Sequence, residues 1–148
     1  MRRVLSLVIV LSSFAFIGSV SPASADDTRL YATMTGSAER PGPGDPDGIG
    51  RAVVTVNTTS KQVCVVMQFT NVTLPATGFH IHLAPVGSPG PVVVAFSAPT
   101  AYQSYQCVSV ENNALLQNLV ANPGQYYINL HTTPDYAAGA IRGQLQAG

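Results

Sequence analysis

The chain contains three histidines, and two of them stand one residue apart in GFHIHLAPVGSPGPVVV, residues 78–94. On an extended strand successive side chains point to opposite faces, so His80 and His82 share one face while Phe79, Ile81 and Leu83 take the other. The strand rise sets their Cα atoms about 6 to 7 Å apart, close enough for two ring nitrogens to converge on one ion. His131 ends YYINLH, where Tyr126, Ile128 and Leu130 alternate with Tyr127, Asn129 and His131, so this histidine also joins a polar set. If the two strands are neighbours, the three imidazoles form a cluster with an open coordination position. Imidazole suits zinc and copper alike. The same spacing also suits polar residues that organise hydrogen bonds beneath a loop, and the residues alone leave both readings open.

Other chemistries find little support. No serine or cysteine falls in a nucleophile motif such as G-x-S-x-G. The stretch PGPGDPDG (41–48) lacks both the Lys-Ser/Thr of a phosphate loop and its strand-to-helix setting. Its DPDG is type I turn chemistry, and the spaced acidic ligands and closing Glu of a calcium loop are missing. Asp45 and Asp47 read as residues of a flexible loop, and Glu39, Glu111 and Asp135 are isolated. Asp135, four residues past His131, reads as a solvent-facing loop carboxylate, with orientation of an imidazole N–H as the alternative. Arg142 reads as a clamp on a carboxylate or on backbone carbonyls, ahead of an anion-binding role.

The positioning elements follow from the rest of the chain. Arg2 and Arg3, the apolar run from Val4 to Val20 and Ala23-Ser24-Ala25 have the pattern of a cleaved secretory leader over residues 1–25. As a membrane span the run is short and interrupted by Ser6, Ser12, Ser13 and Ser19. Residues 26–148 then form a single domain large enough for a core. Past residue 25 remain five basic residues (Arg29, Arg40, Arg51, Lys61, Arg142) against seven acidic ones, a net charge of −2. That balance argues against nucleic acid and anionic lipid as partners. Cys64 and Cys107 are the only cysteines, and an exported chain with an even count is expected to bridge them. Closing that loop stabilises the fold by roughly 4 kcal/mol in the chain-entropy treatment. A pair of metal thiolates is the weaker reading, because neither cysteine has a ligand partner at metal-site spacing.

Short runs rich in Val, Ile, Thr and Tyr, punctuated by Gly, Pro and Asn, predict an all-β Greek-key sandwich or barrel of about eight short antiparallel strands. The expected strands are 29–35, 52–57, 62–69, 78–83, 92–96, 106–110, 125–131 and 140–146. NNALLQNLVANPG (112–124) places Ala114, Leu115, Asn118 and Leu119 at helical spacing and predicts one short helix. Residues 37–50, with three prolines and four glycines, read as a loop. Asn57-Thr58-Thr59 and Asn71-Val72-Thr73 fit the glycosylation pattern.

GFHIHLAPVGSPGPVVVAF, YYINLHTTPDYAAGAIRGQL and the cysteines around the first block resemble the CHRD domain, the module first recognised in chordin and frequent in exported bacterial proteins. The resemblance extends over most of residues 28–147 and implies an extracytoplasmic β-sandwich. For chordin it implies growth-factor binding; for single-domain bacterial members it implies no settled activity. More distantly, GFHIH is similar to the Phe-His-Val-His strand of copper-zinc superoxide dismutases, and INLH resembles the later strand ending in another copper histidine. That likeness implies His80, His82 and His131 as copper ligands, with zinc second. The dismutase's bridging histidine and zinc site have no counterpart, and Arg142 does not match its guiding arginine in spacing.

The expectation is a secreted binding protein that holds a transition metal, copper first, through His80, His82 and His131. The alternative is an extracellular interaction or matrix module whose histidines are structural, with an unidentified protein partner. A copper-only dismutase-like enzyme ranks third; whether the chain is an enzyme is left open, with a binding role ahead of catalysis. No nucleic-acid partner is expected, nor a membrane once the leader is removed.

Overall fold

A computed structural model describes residues 27–148. The leader expected over residues 1–25 lies outside the described residues. The described chain forms strands β1 (Asp27–Thr35), β2 (Ile49–Asn57), β3 (Gln62–Thr70), β4 (Ala76–Leu83), β5 (Val92–Phe96) and β6 (Gln103–Ser109). Helix α1 (Asn113–Ala121) follows, then β7 (Tyr126–Thr132), β8 (Ile141–Gln144) and the two-residue β9 (Gln146–Ala147). The strands pair antiparallel in the order β5-β4-β7-β8-β1-β2-β3-β6, with β9 on β1. Edge strands β5 and β6 approach one another at the seam. There the Gln106 side chain accepts from the Ser97 N–H at 2.9 Å and donates to the Ser97 carbonyl at 2.8 Å, copying with an amide what a ladder would do with backbone. The result is a nearly closed, barrel-like all-β fold.

Alternation fills the interior. Leu30 and Met34 of β1, Val54 and Val56 of β2, Val63, Val65 and Met67 of β3, Phe79 and Ile81 of β4, and Ile128 and Leu130 of β7 are fully buried. Burying each such side chain stabilises the fold by about 1.5–3 kcal/mol. Cys64 and Cys107 lie directly opposite in the β3–β6 register and are disulfide-bonded. As alternation requires, the bridge is on the outer face, away from Val63, Val65 and Met67.

Three expectations are refined. The last strand is not continuous from 140 to 146: Leu145 is buried between β8 and β9, its N–H donating to the Tyr126 carbonyl, so the chain passes from β7 to β1 as partner. β6 begins at Gln103 rather than 106, because pairing with β3 supplies the order that its polar sequence does not announce. α1 is capped by Asn112, whose Oδ1 accepts from the Leu115 N–H, but it buries Leu116 and Leu119 rather than a stripe through Ala114 and Asn118. Among the described residues no helix is long and apolar enough to cross a membrane.

The expected 37–50 loop ends at Gly48, since Ile49 and Gly50 already pair within β2, and it is anchored rather than free. Asp45 is 4% exposed, donates its N–H to the Ala140 carbonyl at 2.8 Å, and accepts from the Thr73 N–H through Oδ2. The expectation of a flexible, solvated Asp45 is therefore corrected: the loop folds back and buries it. The same fold carries Glu39 inside, 2% exposed.

Candidate metal centre

β7 lies between β4 and β8, and its register sets the outer face of this part of the sheet. His80 stands opposite Asn129, which stands opposite Arg142; His82 is opposite Tyr127, and Gly78 is opposite His131. The inward partners Phe79, Ile81, Ile128 and Leu130 are fully buried, so the histidines project from a rigid floor. The two strands expected to be neighbours are neighbours, and all three imidazoles meet. Ring centroids are 5.2 Å apart for His80 and His131, 5.6 Å for His80 and His82, and 6.3 Å for His82 and His131. One nitrogen from each ring lies within 4.8 Å of the others, an arrangement that can hold a metal ion.

Gly78 makes this approach possible. A Cβ there would lie 2.6 Å from His80 Cε1 and 3.2 Å from His131 Cδ2, so the space that a side chain would take is filled by imidazole.

Hydrogen bonds orient two of the rings. His82 Nδ1 is 2.9 Å from the Gly90 carbonyl, and His131 Nδ1 is 3.0 Å from the Ala137 carbonyl. A carbonyl only accepts, so each Nδ1 carries the proton and each Nε2 keeps its lone pair. This is how metal-ligating histidines are commonly fixed. His131 Nε2 accepts from Asn129 Nδ2 at 2.9 Å. His82 Nε2 and His80 Nδ1 are buried with no hydrogen-bond partner. An unsatisfied buried polar atom costs about 1–3 kcal/mol, and a cation held between the imidazoles could satisfy both.

The segment joining β4 to β5 packs over this outer face and is tied to it at four points. Gly90 receives His82 through its carbonyl and donates its N–H to the Tyr127 hydroxyl at 3.3 Å. Arg142 Nη2 donates to the Pro85 carbonyl at 3.3 Å, and Gln144 donates to the Ala84 carbonyl at 2.9 Å. Tyr127 is stacked by the His82 ring at 4.6 Å, nearly parallel, and the Arg142 guanidinium lies 3.4 Å from its centroid. Because β7 separates β4 from β8, the tyrosine is held from both sides.

Burial first, and then the neighbouring imidazole His131, lower the pKa of His80. Burial also dominates for His82, partly opposed by the Gly90 hydrogen bond. Both effects favour neutral rings, the form that ligates. The pKa of Glu39 is raised to about 7 by burial, against the pull of Arg142.

Sequence reasoning placed His80, His82 and His131 correctly on one face. Asp135 is exposed and takes no part in orienting His131; the Ala137 carbonyl does so instead. Arg142 clamps a backbone carbonyl, one of its two expected structural uses. Gly78, Gly90, Tyr127, Asn129 and Glu39 were missed as parts of the site. Alternation put Tyr127 and Asn129 on the histidine face and was the one signal that pointed to them.

Fold and site together define a small antiparallel β-barrel protein with a three-imidazole cluster under a pinned loop. The model of the CHRD domain matches residues 30–145, and the chain belongs to that family. The chain matches no curated protein and no solved structure.

Proposed function

We propose that this CHRD-domain protein is exported and binds one transition-metal ion through His80, His82 and His131, copper before zinc. The observation that carries this reading is the pair of buried, unpartnered ring nitrogens, His80 Nδ1 and His82 Nε2, beside a His131 whose tautomer also leaves Nε2 as a lone pair. A purely structural histidine cluster would be expected to satisfy its own buried nitrogens. An all-nitrogen donor set without thiolate suits Cu²⁺ and Zn²⁺, and the divalent affinity order puts copper first. The disulfide fits an oxidising, extracytoplasmic location.

His80 would hold the ion through Nδ1, and His82 and His131 through Nε2. Gly90 and Ala137 hold two of the rings in the ligating tautomer. When bound, copper would bring one-electron redox capacity to the site. A dismutase-like activity remains the third reading, because the likeness to that enzyme rests on histidines alone. The test is the metal content of protein purified from its native compartment. About one copper per chain supports the proposal; metal-free protein that also takes up no copper removes it.

A further inference from the structure

Asn129 occupies the centre of the site without having been counted as a ligand. It is 2% exposed, stands in register between His80 and Arg142, and donates through Nδ2 to His131 Nε2 at 2.9 Å. Its carboxamide therefore addresses one of the lone pairs that an ion would take. A nitrogen lone pair cannot accept from an amide N–H and ligate a metal in the same direction. Loading of the ion must accordingly release the Asn129 N–H, and a buried donor needs somewhere to go.

The structure offers an acceptor. Glu39 Oε1 is buried with no hydrogen-bond partner, and the Glu39 carboxyl lies near enough to Asn129 for the amide to act on it. Glycines make room for this carboxyl: a Cβ on Gly139, at φ +142°, would lie 2.5 Å from it, and one on Gly44 would lie 2.9 Å from Glu39 Cγ. Asn129 Oδ1 and Arg142 Nη1 are likewise buried and unpartnered, so the residues beside the imidazoles have spare hydrogen-bonding capacity.

We propose that Asn129 is a placeholder that keeps His131 Nε2 occupied while the site is empty and, when a cation binds, hands its N–H to the Glu39 carboxyl. The proposal rests on the three-histidine metal reading and assigns Asn129 and Glu39 as positioning residues for it. As a placeholder, Asn129 competes with the ion. Removing its N–H therefore tightens binding, whereas a residue that merely props up His131 would weaken binding when removed.

The experiment uses ¹⁵N-labelled full-length domain and zinc chloride alone, a diamagnetic probe. In metal-free protein the Asn129 side-chain amide should show a through-hydrogen-bond correlation to His131 Nε2, and one equivalent of zinc should abolish it. Asn129→Leu, similar in volume and lacking the donor, should bind zinc about fivefold more tightly, as expected for loss of one competing hydrogen bond. Absence of the correlation in metal-free protein, its survival in zinc-bound protein, or weaker zinc binding by Asn129→Leu overturns the proposal. The wild-type spectra decide the matter if the variant does not fold. Wild-type protein that binds no zinc removes the metal reading and the placeholder together, whereas zinc binding with an unchanged correlation removes the placeholder alone.

Discussion

His82 and Gly90 are joined by a 2.9 Å contact between Nδ1 and a backbone carbonyl, and that contact leaves the other ring nitrogen of His82 free and buried. The glycine cannot be replaced without moving. A Cβ at Gly90 would lie 2.0 Å from the Leu83 carbonyl oxygen and 2.8 Å from Ala84 Cβ.

Gly90→Ala should therefore displace the covering loop, release His82 and cut metal affinity by at least about tenfold, the usual scale for losing a ligand-orienting partner. Titration calorimetry with zinc measures this directly. Affinity equal to that of wild type would contradict the orienting role.

Gly78→Ala separates the site from the fold. The added Cβ meets the tip of the His80 ring at 2.6 Å, a side chain that can swing away, and meets His131 at 3.2 Å. Stability should change by less than about 1 kcal/mol while metal binding falls sharply, since only the imidazole geometry is disturbed. Thermal melting and calorimetry on the same variant check both halves. A large loss of stability with intact binding would reverse the assignment.

Glu39 gives the metal-free protein a pH signature. Its pKa is raised from 4.5 to about 7, so between those values the folded state holds a proton that the unfolded state has released. Its stabilising contribution is full below about 4.5 and is lost as pH rises through about 7, an effect on the order of 3 kcal/mol. His80 and His82 act in the opposite sense. Their lowered pKa values mean that the unfolded chain binds protons first, so stability falls as pH drops below 6.5. The difference between wild type and Glu39→Gln isolates the carboxyl: the variant should gain in relative stability as pH rises from 4.5 to 7 and then level off. Denaturant unfolding across pH 4.5–8 reads this out, and a flat difference would place Glu39 in ordinary solvent.

Much of this site could be read from local pattern. Alternation alone put Phe79 and Ile81 inward and His80 and His82 outward, and did the same for Leu130 and His131. It failed where the second layer came from distant sequence. β7 is buried on both faces because the loop from Ala84 to Pro91 covers its outer side, so Tyr127 and Asn129 are interior residues in a strand that reads as half-exposed. Glu39 sits in a segment rich in proline and glycine, where a carboxylate reads as solvated. Its burial depends on Gly139, one hundred residues away, and on Ala140 receiving the Asp45 N–H. No periodicity within either segment records that contact.

The Cys64–Cys107 bridge closes a separation of 43 residues that contains β4 and β5. Replacing both cysteines with alanine should cost about 4 kcal/mol and lower the melting temperature by roughly 10–20 °C. Chemical denaturation of the double variant tests this. A cost below about 1 kcal/mol would show that the sheet holds the histidine strand without the bridge.

The central claim is that three imidazoles form one ion site, and copper titration of metal-free protein followed by electron paramagnetic resonance tests it most directly. The account predicts a single bound Cu²⁺ per chain with nitrogen hyperfine structure, lost or strongly weakened in each of His80→Ala, His82→Ala and His131→Ala while the fold persists. Wild-type protein that binds no copper near pH 7, or copper binding that survives all three substitutions, would contradict it.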